Sequence, residues 1–154
     1  MAMEFLVTDR KGIEDGVLVR STYVVISIYD PDREKPRVKK QAGLRAVLQL
    51  AFHDAEPTAD VTADRTPRVM SADQADQIWR FIDEHRDNVE TVVVHCESGV
   101  SRSPAVAAAL CAGLGGDEAR LLQEFQPNRY VYGLVRDAAR NKGSTDDLWK
   151  DSPV

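Results

Sequence analysis

One nine-residue stretch, residues 95–103 with the sequence HCESGVSRS, constrains this chain more than any other. It follows Thr91–Val94, a short apolar run of mostly β-branched residues that predicts a buried strand. It leads into an alanine-rich segment that begins at Pro104, and proline is tolerated in the first turn of a helix. The stretch is therefore predicted to be the turn between a strand and a helix.

A turn of this kind is suited to binding an anion. It directs unpaired backbone N–H groups and the positive end of the helix dipole at one place. Cys96 enters the turn, Arg102 leaves it, and Gly99 between them can take the positive φ that brings the backbone close to a ligand. The guanidinium fork can bind two oxyanion oxygens, and the same donors favour the nucleophilic thiolate over the thiol. The stretch thus combines a nucleophile with a cradle for a tetrahedral oxyanion.

These residues carry a family resemblance. The stretch resembles the HC-x5-R-S signature of the cysteine-dependent protein tyrosine phosphatase superfamily, and its form HCxxGxSRS is most similar to the dual-specificity branch. The similarity extends over about residues 20–140 and includes Pro127-Asn128 before the last predicted helix. It implies hydrolysis of a phosphate monoester through a phosphocysteine intermediate. The alternative is a structural cysteine that happens to lie near an arginine.

The resemblance assigns roles residue by residue. Cys96 would be the nucleophile, Arg102 would bind the phosphoryl oxygens, and Ser103 would donate a hydrogen bond to the departing thiolate. His95 would support the loop and the cysteine rather than act as an acid or base. The backbone N–H groups of the phosphate loop would come from Glu97, Ser98, Gly99, Val100, Ser101 and Arg102.

The reaction also needs a carboxylic acid that protonates the leaving oxygen and then activates water. Similar enzymes take it from an aspartate just after a strand upstream of the signature. Asp54 is the first candidate, because it follows the predicted strand Ala46–Phe52. Asp60 and Asp64, in the long loop over residues 55–68, are the alternatives.

The remaining sequence predicts an α/β fold with a central, mostly parallel sheet of four to five strands flanked by helices, like that of compact dual-specificity phosphatases. Ser71-Ala72-Asp73-Gln74 is a capping-box pattern and predicts a helix to about Arg86. Further helices are predicted over residues 104–112 and 117–125 and after Pro127. The other strands are predicted at Tyr23–Ile28 and as one or two edge strands in residues 4–20, the second around Val17–Val19. We expect one domain over residues 1–142 and a flexible tail over residues 143–154.

Composition narrows the class of protein. A chain of 154 residues suits one domain, and a net charge of −5 gives no basic field for nucleic acid or a membrane surface. We expect a cytoplasmic monomer without an organic cofactor. A metal site is not expected either, because the three histidines are widely spaced and no histidines and cysteines occur at ligand spacing. Cys111, the second cysteine, is expected to be a small core residue or, alternatively, a resolving thiol for Cys96.

The side chains inside the turn limit the class of substrate that we expect. Phosphoinositide-directed relatives carry lysines where this chain has Glu97, Ser98 and Val100, and the Glu97 carboxylate would repel a multiply phosphorylated lipid. A phosphorylated protein is therefore the expected partner, with phosphotyrosine ahead of phosphoserine and phosphothreonine. Two alternatives stay open. One is a phosphate-binding interaction module with slow turnover. The other is a phosphatase for a nucleotide, an RNA 5′ end or a phosphoinositide.

Overall fold

Four parallel strands form the centre of the fold. The structure, a computed structural model, describes residues 3–57 and 68–150, with the backbone alone described over residues 140–150. The strand order in the sheet is β1-β4-β2-β3, and every neighbouring pair runs parallel. This confirms the predicted α/β class and the parallel sheet. The strands are β1 (Glu4–Thr8), β2 (Tyr23–Tyr29), β3 (Leu44–Ala51) and β4 (Thr91–His95).

Helices cover the two faces of this sheet unequally. The main hydrophobic core lies on the face packed by α2, α3 and α5. On the other face, Ile13 of α1 packs with Tyr23, Val25 and Val93 in a smaller cluster. Because β2 and β4 are covered on both sides, their residues form continuous apolar runs. The helices are α1 (Arg10–Asp15), α2 (Ala72–His85), α3 (Arg102–Gly113), α4 (Ala119–Glu124) and α5 (Arg129–Lys150).

The predicted start of α2 is confirmed in atomic detail. Ser71 accepts a hydrogen bond from the Gln74 N–H, and the Gln74 side chain accepts one from the Ser71 N–H, which completes the capping box. Later in the helix, Trp79 Nε1 donates to the Val135 carbonyl at 2.8 Å and joins α2 to α5. The helices behind the sheet are therefore fixed to each other as well as to the strands.

Two boundaries differ from the prediction. The second edge strand around Val17–Val19 is wrong, because residues 10–15 form α1 and residues 17–19 are the irregular connection to β2. Val17 and Val19 instead pack against the smaller core cluster, so their alternation reflects burial beneath a loop rather than a strand. Helix α5 continues to Lys150, past the predicted domain end at residue 142. The division into a domain and a tail stays a prediction.

The parallel arrangement positions the chemistry. All four strands end at the same edge of the sheet, and ligands of open α/β sheets bind at that edge. Asp30 follows β2, His53 and Asp54 come shortly after β3, and Cys96 directly follows β4. Within the described ranges, no helix has both the length and the apolar character needed to cross a membrane.

Candidate active site

The loop between β4 and α3 is held with its carbonyl groups directed outward. The carbonyls of Glu97, Val100 and Ser101 accept hydrogen bonds from the N–H groups of Arg10, Gln126 and Asn128, at 3.3, 3.2 and 3.1 Å. A planar trans peptide points its N–H opposite to its carbonyl. The N–H groups of Ser98, Ser101 and Arg102 therefore point away from these neighbours, toward the inside of the loop.

Gly99 allows the loop to close around this interior. Its φ is +74°, and a Cβ at this position would meet the backbone of Thr8 and Asp9 at 3.0–3.1 Å. Both facts favour glycine, since other residues rarely adopt such a φ and none would fit without a shift of backbone. The junction between β1 and α1 thus packs directly against the loop.

Cys96 lies at the bottom of the loop with its side chain only 1% exposed. Its Sγ accepts a hydrogen bond from the Gly99 N–H at 3.2 Å and lies 3.2 Å from Ser103 Oγ. An anionic sulfur gains from both contacts, because each offers a hydrogen to it. The structure therefore brings together the cysteine and the serine that the sequence singled out.

Arg102 is buried at the start of α3, and hydrogen bonds from one nitrogen of its guanidinium hold its side chain. Its Nη1 donates to Asp30 Oδ1 at 2.7 Å and to the Phe52 carbonyl at 2.6 Å. Its Nε is buried and has no hydrogen-bond partner among the described residues. Because buried donors are nearly always satisfied in folded proteins, this N–H is a candidate donor to a ligand oxygen.

Asp54 lies at the rim of the same loop. Its Oδ1 accepts hydrogen bonds from Ser101 Oγ at 2.8 Å and from Asn128 Nδ2 at 2.9 Å. Ser101 occupies the N-cap position of α3 yet makes no side-chain cap, because its hydroxyl is directed to Asp54. The two other candidate acids, Asp60 and Asp64, lie outside the described residues.

The Glu97 side chain does not present an unpaired charge to the loop. Its carboxylate pairs with Arg10 at 3.0 Å and with Arg33 at 3.4 Å. These pairs weaken the repulsion expected between Glu97 and a multiply phosphorylated ligand, and that expectation stays a prediction. Two guanidinium groups that are distant in sequence offset its charge, and sequence spacing alone did not reveal them.

His95 is buried beneath the loop in the position of a support. Its Nε2 lies 2.6 Å from Ser27 Oγ, and its Nδ1 lies 3.1 Å from the Cys96 carbonyl. Burial lowers the pKa of the imidazole below its ordinary value, which keeps the ring neutral at neutral pH. The geometry agrees with a supporting residue, since both ring nitrogens are occupied by internal partners.

Cys111 is remote from this loop. It lies nine residues beyond Arg102 on α3, which corresponds to about 13 Å along the helix axis. Cys111 lines a pocket with residues at the start of β1, whereas Cys96 follows the end of β4, which runs parallel to β1. A disulfide needs Cα atoms within about 7 Å, so this placement argues against the resolving-thiol alternative. Burial and the neighbouring Glu118 and Asp117 raise the pKa of the Cys111 thiol, which makes it less reactive.

Two residues at this site escaped the sequence analysis. Asp30 is one of them, although it follows the strand next to β4 and so shares its edge of the sheet. Asn128 was noted only as part of a motif, but it joins three segments by bonding Asp54, the Ala55 carbonyl and the Ser101 carbonyl.

Within the described part of the chain, no group of three or more His, Cys, Asp or Glu side chains is arranged to hold a metal ion.

Comparison with solved structures identifies the fold. Human DUSP28 matches with a TM-score of 0.57 and 16% identity, over 92% of this chain and 94% of that one. A mouse dual-specificity phosphatase solved with zinc tungstate matches with a TM-score of 0.57 and 18% identity, over 92% and 86%. PTPMT1 in complex with PI(5)P matches with a TM-score of 0.50 and 16% identity, over 81% of each chain. No family model matches the sequence, and no curated protein matches it significantly. The chain has the fold of dual-specificity phosphatases, as its signature predicted.

The buried, neutral state of His95 predicts an acid sensitivity of the fold. Because its pKa is lowered on folding, the unfolded chain binds the extra proton first, and stability falls as the pH drops below about 6.5. His95→Gln should remove this contribution and flatten the decrease by at most about 1.4 kcal/mol per pH unit. Urea unfolding of both proteins between pH 5 and 7.5 measures the difference. An identical pH dependence in the two proteins would contradict the assignment.

Proposed function

We propose that this protein is a cysteine-dependent phosphatase that hydrolyses phosphorylated protein side chains, phosphotyrosine first, through a phosphocysteine intermediate. One observation carries the proposal. A single loop holds a buried sulfur between an N–H donor and a hydroxyl, and it ends at Arg102, whose buried Nε has no hydrogen-bond partner among the described residues. The fold shared with dual-specificity phosphatases supports the same conclusion.

In the first step the Cys96 thiolate attacks phosphorus, and an S–P bond forms as the P–O bond to the substrate breaks. The inward N–H groups of the loop and Arg102 bind the equatorial oxygens and stabilise the charge that spreads over them. The leaving oxygen takes a proton from the Asp54 carboxylic acid. Asp54 suits this role because Ser101 and Asn128 hold its side chain at the rim of the loop.

In the second step water attacks the phosphocysteine and the S–P bond breaks. The Asp54 carboxylate accepts a proton from that water, and inorganic phosphate leaves. The departing sulfur regains its negative charge, which is stabilised by the Ser103 hydroxyl at 3.2 Å and the Gly99 N–H. Cys96, Arg102, Ser103 and Asp54 thus have complementary roles in one cycle.

The substrate class rests on access to the sulfur. Because Cys96 is only 1% exposed, a long phosphotyrosine side chain reaches it more readily than a short phosphoserine. A phosphoinositide is the second candidate, since the Glu97 carboxylate is paired with Arg10 and Arg33. PTPMT1, whose fold is similar, was solved in complex with PI(5)P. A panel of phosphopeptides and phosphoinositide headgroups compared by kcat/KM separates the two.

Hydrolysis of para-nitrophenyl phosphate under reducing conditions tests the activity itself. The wild-type protein should release nitrophenol between pH 5 and 7, and Cys96→Ser should abolish the release while still binding phosphate. Cys111→Ser is the matched control, because the thiol of Cys111 lies far along α3 and should be dispensable. A wild-type protein that binds phosphate but releases no nitrophenol would instead be a phosphate-binding module.

Asp54→Asn tests the identity of the general acid. The rate should fall about 100-fold on phosphotyrosine, since positioned acids contribute factors of this order. An activated aryl phosphate should be affected much less, because its leaving group needs little protonation. Steady-state rates across phenols of increasing pKa provide the measurement. If Asp64→Asn shows this leaving-group dependence and Asp54→Asn does not, the acid comes from the long loop.

Asp30→Asn tests the orientation of Arg102. Removal of the charge should loosen the guanidinium and raise the inhibition constant of inorganic phosphate or vanadate about tenfold, as expected for a charge-assisted hydrogen bond. Glu34→Gln, an exposed change in the segment that follows β2, is the charge-matched control and should leave the constant unchanged. Equal inhibition constants for Asp30→Asn and the wild type would contradict the role of Asp30.

A further inference from the structure

A row of polar residues crosses the sheet just below the phosphate loop. Thr8 pairs in register with His95, His95 with Ser27, and Ser27 with Gln49. The four residues lie side by side on β1, β4, β2 and β3, so every strand contributes one. Ser27 and His95 are fully buried, next to the apolar residues of β2 and β4. A buried polar side chain destabilises the fold unless it has a hydrogen-bond partner, so the hydrogen bonds between these residues are important.

The hydrogen bonds along this row have a fixed direction. Gln49 Nε2 can only donate, and it lies 2.9 Å from the Pro36 carbonyl and 3.4 Å from Ser27 Oγ. The Ser27 oxygen therefore accepts from Gln49. Because the Cys96 carbonyl on the other side of the ring can only accept, the Ser27 hydroxyl is the donor to His95 Nε2 at 2.6 Å. A neutral imidazole that accepts at Nε2 carries its hydrogen on Nδ1. That hydrogen points at the Cys96 carbonyl, 3.1 Å away.

We propose that Ser27, oriented by Gln49, is a positioning residue for the nucleophile, because it fixes the Nδ1–H tautomer of His95 and thereby the peptide that follows Cys96. A carbonyl held toward His95 turns the Glu97 N–H the opposite way, toward the inside of the loop. Ser27 thus affects the phosphate cradle indirectly, through the His95 ring and the peptide that follows Cys96, without contacting the cradle. Only the link to catalysis rests on the proposed function; the tautomer itself does not.

Charged groups also surround the ring. Glu97, Arg10 and Glu14 act on His95 through space, the two carboxylates favouring its protonation and the guanidinium opposing it. They influence whether the ring is charged more than which nitrogen carries the hydrogen. The tautomer is therefore decided by the hydrogen bonds at the two ring nitrogens, and the one with Ser27 is the shorter of the two.

Nitrogen NMR of the imidazole tests the tautomer directly. In the wild type at pH 7.5, Nδ1 should give the signal of a protonated nitrogen and Nε2 that of an unprotonated one. Ser27→Ala should shift His95 toward the other tautomer, because the donor to Nε2 is gone. Alkylation of Cys96 by iodoacetamide should slow, and kcat/KM should fall, each about fivefold, the size expected from one misplaced hydrogen bond.

Three further variants separate positioning from general damage to the sheet. Ser27→Thr keeps the hydroxyl and should restore the wild-type tautomer and alkylation rate. Gln49→Glu keeps the size but removes the donor at the half-buried edge, and should shift the tautomer in the same direction as Ser27→Ala. Thr91→Val is the matched control. It removes a buried hydroxyl from the opposite end of β4, where Thr91 bonds Ser21 at 2.8 Å, and should change neither readout.

The outcomes are separable. An unchanged Nδ1–H tautomer in both Ser27→Ala and Gln49→Glu overturns the inference, and so does equal slowing of alkylation in Thr91→Val. A wild-type protein without phosphatase activity would refute the proposed function alone, since the NMR and alkylation measurements remain informative. A tautomer shift in Ser27→Ala with normal alkylation and kcat/KM would show that the row sets the ring but not the nucleophile, and would also refute the positioning role.

Discussion

Three hydrogen bonds to outward carbonyls determine the shape of the loop on which the rest of this site depends. Their donors come from the start of α1, the segment after α4 and the residue before α5. Gln126 and Asn128 are close together in sequence and lie between two helices, whereas Arg10 follows β1 at the edge of the sheet where the loop begins. All three are distant in sequence from the loop residues that they bond. A loop fixed by its carbonyls has its N–H groups already oriented, so binding of an anion requires little reorganisation. The packing of the domain therefore determines the direction in which a few peptide N–H groups of the loop point.

The sequence was sufficient for the features that are local. Thr91–Val94, the cysteine turn and the alanine-rich helix are contiguous, so their order alone predicts a strand, a loop and a helix. The capping box at Ser71 is equally local and is found as predicted. The prediction of an edge strand around Val17–Val19 was wrong, because the pattern behind it depends on burial in the tertiary structure and not on local structure. Alternating apolar residues indicate burial on one side, and here the burial is beneath an irregular segment rather than in a ladder.

The residues that the sequence did not reveal are those whose partners are distant. Asp30 and Arg102 are 72 positions apart, and Asn128 and Asp54 are 74 apart. Nothing in the local pattern of either pair indicates the other member, because each contact is created by the tertiary fold. The position of Asp30 is nevertheless a recoverable signal. A charged residue directly after a buried parallel strand lies at the edge where ligands bind, and that rule applies to β2 as well as to β4.

Charge neutralisation within the site explains how an acidic chain can bind phosphate at this loop, as the proposed function requires. The carboxylates nearest the loop are each engaged by a donor: Asp30 by Arg102, Glu97 by Arg10 and Arg33, and Asp54 by Ser101 and Asn128. Exposed charges farther away than the screening length, which is about 8 Å at physiological ionic strength, have little effect on the loop. Buried donors inside the loop are screened far less. The local field at the loop is therefore set by its own N–H groups and the Arg102 guanidinium, and the net charge of −5 counts for little there.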